Sequence, residues 1–353
     1  MQITRVEVIP IELHLSVPYR VARRGAVDST AAVLLRVETR QGHLAWGCAA
    51  VDPTVTDQPL EEVVRLFQAC ADVARDLSPL NTEFALAELA AVAENCPPVL
   101  CAFDMAFHDL LGLVTGLPLY RLLGGYRHRI QTSITLSLAT VSESVEMAQA
   151  RARQGFRIIK LKGGQDAQED VRRVLAVADA LPGISLRLDA DQGYDVPQAL
   201  DVARALDGRL EMLEQPTPAA DVAALREVTR RSPVPILADE SVTGPASALE
   251  IAHHRAAHGL SVKLTTCGGL RRACQVDAIA RAARMSTMVG CVNEPALLIA
   301  AGLGFALSSP NIRYGDLDGH FDLVDDPTTP GFLFEDGWLI ASDIPGVGCR
   351  VEL

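Results

Sequence analysis

Between residues 126 and 316 short apolar runs alternate with helix-length amphipathic segments, and this alternation constrains the fold more than any other feature of the chain. The runs fall at 131–137, 157–162, 185–190, 210–214, 235–239, 260–264, 286–290 and 312–316, with stretches such as "DAQEDVRRVLAVADAL" and "DVAALREVTRR" between them. Strand, helix, strand in succession implies parallel pairing, because each crossover must be long enough to hold the helix. Eight such strands close into a barrel. An open doubly wound sheet is the rival arrangement, but it calls for a G-x-G-x-x-G turn after the opening strand, and none is present. The expected fold class is α/β, a modified (β/α)7β TIM-type barrel over residues 126–316.

The preceding 125 residues have a different texture. "ITRVEVIPIEL", "TAAVLLRVET" and "HLAWGCA" read as an antiparallel meander, and helical periodicity follows near 57–76, 82–94 and 98–114. This is an α+β module. The tail, 317–353, is rich in Pro and Gly, with two strand-like runs and no helical pattern, and is expected to return to that module.

Composition narrows the function. A net charge of −12 without a long basic run argues against a general role on nucleic acid or anionic membranes and points to small-molecule partners. Eight cysteines show neither C-x-x-C nor zinc-ligand spacing, as expected for reduced thiols. Apolar stretches such as "PALLIAAGLGFAL" fall short of the ~20 residues that span a bilayer, and the N-terminus lacks the apolar core of a signal peptide. A cytoplasmic protein is expected, and a homo-oligomer because barrels of this kind often associate.

Chemistry is written at the strand ends. "SLRLDAD" supplies Asp189, "LEMLEQP" Glu214 and "PILADES" Asp239, at steps of 25 and 25, and "LSVKLTTCGG" supplies Lys263 after another 24. One step is one strand-plus-helix unit, so the three carboxylates converge at the C-terminal mouth, where barrel enzymes place their sites. Any one of these acids alone would read as a helix N-cap. Three in step with the repeat would repel one another strongly, and a divalent cation resolves this. An all-oxygen ligand set favours Mg2+, with Mn2+ as a substitute.

"FRIIKLKGG" at 156–164 places Lys160 and Lys162 on one face of the strand before Asp189, while Lys263 ends the strand after Asp239. The two adjacent ammoniums, desolvated and near a cation, are expected to deprotonate more easily than free lysine. A base on each side of a metal-held substrate suits removal of a proton from one face of a carbon and its return to the other.

With "IKLKGG", "LRLDADQGY", "EQP", "LADES", "KLTTCGG" and "DLDG" in that order, the chain resembles the enolase superfamily, in its muconate-lactonizing-enzyme subgroup and closest to dipeptide epimerases. The resemblance extends over nearly the whole chain. It implies an α+β capping domain on the barrel, Mg2+ at Asp189, Glu214 and Asp239, bases Lys162 and Lys263, and an assisting Lys160. It further implies that Asp316 and Asp318, in "RYGDLDG", hold a dipeptide's α-ammonium, and that Arg24, in "VPYRVARRGAVDS", binds an acidic side chain as in Ala-Glu epimerases. Val292, Asn293 and Thr135 are the remaining substrate-lining positions.

The resemblance has departures. Cys48 stands where relatives usually have Glu, Asp191 where Asn is common, and "GCVNEPALL" brings Asn293, Glu294 and Pro295 where Glu followed by Ser or Thr is usual. The expected activity is 1,1-proton transfer at the α-carbon of a dipeptide's C-terminal residue, L-Ala-L-Glu being one candidate. The alternatives are an N-acylamino-acid or proline-analogue racemase, or a cycloisomerase, dehydratase or o-succinylbenzoate synthase. More remote are a Schiff-base aldolase and a non-catalytic binding barrel.

Overall fold

The computed structural model describes residues 1–22, 25–51, 59–94 and 96–353. Strands β1 (Ile3–Val21), β2 (Gly25–Thr39) and β3 (Leu44–Ala50) form an antiparallel sheet with β2 in the centre. Helices α1 (Leu60–Ala74), α2 (Thr82–Val92) and α3 (Pro97–Thr115) follow. Prolines at the first helical positions start α3, where a missing N–H costs nothing, and Gly116 at φ +70° ends it. By length and composition α3 is apolar enough to cross a bilayer, yet it is a core helix, largely buried and packed on β3. The approach is close enough that a Cβ at Gly47 would collide with the Ala102 carbonyl.

After the short α4 (Leu119–Leu122) come β4 (Arg129–Gln131) and the barrel strands β5 (Ile134–Leu136), β6 (Ile158–Lys162), β7 (Ser185–Asp189), β8 (Met212–Glu214), β9 (Ile236–Ala238), β10 (Gly259–Lys263), β11 (Ser286–Gly290) and β12 (Ile312–Gly315). All neighbours from β5 to β12 pair in parallel, in chain order. Between them run α5 (Val141–Arg153), α6 (Ala167–Ala180), α7 (Val196–Ala205), α8 (Val222–Arg231), α9 (Pro245–His254), α10 (Leu264–Cys267) with α11 (Leu270–Ala282), and α12 (Ala296–Ala306). The ring closes at a Thr132–Gly315 bridge, with Ser133 N–H donating to the Gly315 carbonyl at 3.1 Å.

The helix starts after β5, β6, β7 and β8 are capped by dedicated residues. Thr140 with Glu143 and Asp195 with Gln198 make reciprocal capping boxes, and Asp166 and Asp221 cap α6 and α8. Asp189 and Glu214 are thereby left free of capping duty, and after Asp239 α9 starts only after Gly244, whose N–H is taken by Ser247 Oγ at 3.2 Å.

One expected strand is two. The run 131–137 breaks at Thr132–Ser133: β4 pairs antiparallel with β15 (Trp338–Ala341) of the tail, and only β5 enters the barrel. The break arises because the Thr132 hydroxyl accepts Leu317 N–H at 2.8 Å, turning the chain from one sheet to the other. Elsewhere in the tail β13 (Thr328–Thr329) pairs with β16 (Arg350–Val351), β14 (Phe332–Glu335) pairs with β15, and Val347 N–H donates to Asp109 on α3 at 2.7 Å.

Candidate active site

Strand register brings the polar ends together. Lys162 is paired with Asp189, Asp189 with Glu214, and Glu214 with Leu237, which leaves Asp239 two residues further toward the mouth. Side-chain oxygens of Asp189, Glu214 and Asp239 lie within 4.8 Å of one another, and all three residues are buried. Lys162 Nζ is 2.9 Å from Asp189 Oδ2 and 2.6 Å from Asp191 Oδ1. On the opposite wall Lys263 Nζ is 2.5 Å from Asp239 Oδ2. Lys160 lies deeper, 2.5 Å from Asp316 Oδ2, 3.3 Å from Glu214 Oε2 and 3.4 Å from Asp189 Oδ2.

The expectation of easily deprotonated lysines is tied to a bound cation; the protein's own charges act in the opposite direction. Burial does work against the charge on Lys160 and Lys162, and Lys160 does repel Lys162. The surrounding carboxylates outweigh both effects and hold the two ammoniums well above their ordinary value; Lys263 is raised likewise, by Asp239 and Glu240 against its burial. With protein charges alone the three lysines rest as ammoniums, and a cation held by the triad would offset the carboxylates that keep them so.

The acids carry the complementary strain. Burial, followed by the neighbouring Asp189 and Asp239, pushes Glu214 up to about 8 even though Lys160 opposes the shift. Burial also opposes ionisation of Asp189, but Lys162 and Lys160 overcome it and hold that carboxyl low. Glu214 Oε1 is buried without a hydrogen-bond partner. An orphaned carboxylate oxygen within a cluster of converging acids fits a divalent cation, and an all-oxygen donor set fits Mg2+ or Mn2+.

Asp316 and Asp318 stand on different footings. Asp316 is engaged, accepting from Ser133 Oγ at 2.5 Å and pairing with Lys160. Asp318 accepts Thr135 N–H at 2.6 Å and the Cys291 thiol at 3.4 Å, and no cation is paired with it among the described residues. Burial and then Asp316 raise it. Both acids line a chamber of about 910 Å³, together with Thr135, Val292, Asn293 and the three lysines. The Asn293 carbonyl accepts Thr30 Oγ1 of β2 at 3.2 Å, which ties this stretch of the chamber wall to the cap. Arg24 lies outside the described residues.

The cap forms the roof. Tyr19 and Ile11 of β1 and Ser29 of β2 face the chamber. The hairpin is fastened to the barrel by Leu138 N–H to the Arg20 carbonyl at 2.9 Å and by Ser16 N–H to the Asp322 carbonyl at 2.8 Å. Of the departures, Asp191 gives Lys162 a second carboxylate, at φ +44°, and Pro295 begins α12. Cys48 is fully buried away from the chamber, under the Cys101 thiol. Sequence reasoning passed over Tyr19 and Glu240. Glu240 lines the chamber with a buried, unpaired Oε2, and burial and then Asp239 push it up to about 7. Its place directly after Asp239 in "ADES" was the available signal.

Comparison with known proteins agrees with this geometry. Residues 3–124 match the mandelate racemase/muconate lactonizing enzyme N-terminal domain, and residues 143–352 match the enolase C-terminal domain-like family. The L-Lys-D/L-Arg epimerase of Methylococcus capsulatus is 35% identical, over 99% of both chains. The substrate-liganded L-Ala-D/L-Glu epimerase from Bacillus subtilis superposes with a TM-score of 0.95 at 30% identity, covering 99% of both chains. The dipeptide epimerase from Enterococcus faecalis V583, complexed with Mg and L-Leu-L-Tyr, gives 0.94 at 29% identity, covering 99% of this chain and 100% of that one. Fold, site and likeness over the full length together make the chain a member of the mandelate racemase/muconate lactonizing enzyme family of the enolase superfamily.

Proposed function

We propose that this chain is a dipeptide epimerase that inverts the α-carbon of the C-terminal residue by moving a proton from one face to the other. The observation that carries this reading is the placement of Lys162 on β6 and Lys263 on β10, strands four apart in a ring of eight, with the acid triad between them. Each lysine is ion-paired to a triad acid on its own side.

Asp189, Glu214 and Asp239 would hold the metal. Bound there, a divalent cation supplies positive charge for the substrate carboxylate and for the negative charge that develops when the α-proton leaves. Lys162 and Lys263 act as the two bases: one takes the α-proton as the C–H bond breaks, and the other, protonated, gives a proton to the opposite face. The reaction is redox-neutral and runs in both directions. Lys160 stays an ammonium, held by Asp316, and offers its charge to the developing anion. Asp318 receives the substrate's α-ammonium, beside Asp316. The β1–β2 hairpin, with Tyr19, keeps water from the reacting carbon.

The setting proposed is a cytoplasmic homo-oligomer acting on a small molecule. Selection of L-Ala-L-Glu rests on Arg24 alone. The test is a dipeptide library in D2O with Mg2+: deuterium is expected at the C-terminal residue's α position, and incorporation into no dipeptide would end the proposal.

A further inference from the structure

Below the mouth, Arg187 of β7 is a fully buried cation, 1% exposed. It lies two residues before Asp189, on the same interior face, and is paired in register with Lys160 on β6. Two buried cations side by side in adjacent strands need anions within reach. Lys160 reaches Asp316 directly. Arg187 reaches it through Ser133: Arg187 Nη1 donates to Ser133 Oγ at 3.1 Å, which directs the single hydroxyl proton onto Asp316 Oδ1 at 2.5 Å.

The same Nη1 donates to the Gly315 carbonyl at 2.9 Å, the peptide immediately before Asp316, where Ser133 N–H also donates. Glu211 Oε2 accepts Arg187 Nε at 2.7 Å, and the guanidinium lies 5.4 Å from the centre of the Tyr314 ring. A stitch needed for stability alone would be made as well by apolar side chains, which often replace buried ion pairs at no loss. Here Nε is ion-paired with Glu211, while Nη1 serves the Ser133 hydroxyl that holds Asp316 and the backbone that carries it.

We infer that Arg187 and Ser133 are positioning residues for the Asp316–Asp318 pair, fixing the Asp316 carboxylate and the 315–317 backbone so that the pair meets a substrate ammonium. The inference rests on the dipeptide reading above. Acting through Asp316, the two residues influence how well a free α-ammonium is held and leave the acid triad untouched.

The test uses Ser133→Ala, Ser133→Thr and Arg187→Met in the full chain, with a dipeptide and its N-acetylated form as paired substrates and Mn2+ titration as a binding control. Expected for Ser133→Ala is a rise of about tenfold in dipeptide KM, with kcat within about threefold and Mn2+ affinity unchanged. Preference for the free ammonium over the N-acetyl form is expected to fall by the same factor. Ser133→Thr, which keeps the hydroxyl, should restore both quantities, and Arg187→Met, where it folds, should follow Ser133→Ala. Equal losses on both substrates, or a Ser133→Ala variant with wild-type KM and preference, would overturn the inference while leaving the epimerase reading standing. A wild-type protein that exchanges no dipeptide would overturn both.

Discussion

Asp318 Oδ2 accepts the backbone N–H of Thr135 at 2.6 Å, so a half-buried acid that follows the last barrel strand is held by the first. Among the described residues no cation is paired with it, whereas Asp316, two residues earlier, is already engaged by Lys160 and Ser133. The two acids therefore fail differently when neutralised. Asp318→Asn is expected to raise dipeptide KM roughly 10- to 100-fold and to leave turnover of an N-acylamino acid nearly unchanged. Asp316→Asn is expected to lower kcat on both, because it also loosens Lys160. Steady-state kinetics on the paired substrates checks this, and an Asp318→Asn enzyme with unaltered dipeptide KM would count against ammonium binding there.

Removal of one base leaves the other face intact. Lys162→Ala and Lys263→Ala are each expected to lose epimerisation by at least about 10²- to 10⁴-fold. Each should still wash deuterium into one stereoisomer of the dipeptide, with opposite preference in the two variants. Mass spectrometry of separated stereoisomers reads the outcome; the same preference in both variants would place the lysines on one side of the substrate.

Metal binding should stabilise as well as activate. Ligands that bind only the folded state add about 2.7 kcal/mol at a hundredfold excess over Kd. Chelation is expected to abolish exchange and lower the Tm, with Mg2+ or Mn2+ restoring both. A Tm indifferent to metal would argue against a cation at Asp189, Glu214 and Asp239.

Glu294 offers a stability test away from the metal. Burial drives it up to about 8, against Lys263 and its contact with Val292 N–H, while Asp318 adds to the rise. Its folded value therefore exceeds the ordinary carboxyl value near 4.5. The unfolded chain releases this proton first, so stability falls as pH rises from about 4.5 toward 8. The accumulated cost at neutral pH is on the order of 2–3 kcal/mol. Glu294→Gln is expected to flatten this slope, melting near wild type at pH 5 and higher at pH 7.5. A Tm gap that stays constant across that range would contradict the assignment.

The barrel and its acids were legible because strand ends recur at a fixed step, and parity along a strand fixes which side chains share a face. "LRLD" already placed Arg187 on the face of Asp189. What it served was hidden, since Ser133 and Gly315 lie 54 and 128 residues away. The split at Thr132 was hidden for the same reason, its cause being Leu317. The counter-charges around the lysines were hidden, because like-charge repulsion is visible within "KLK" while the carboxylates that oppose it arrive from other strands. Arg24 falls outside the described residues.

Seven of the ring's eight joints are laddered, and the remaining one, between β5 and β12, is held by the Thr132–Gly315 bridge and the contacts beside it. Asp318 and Thr135 face each other across that joint, so a molecule gripped there works as a rivet, tightening the hoop at its weakest point. Occupancy and mechanical integrity of the cylinder then rise together.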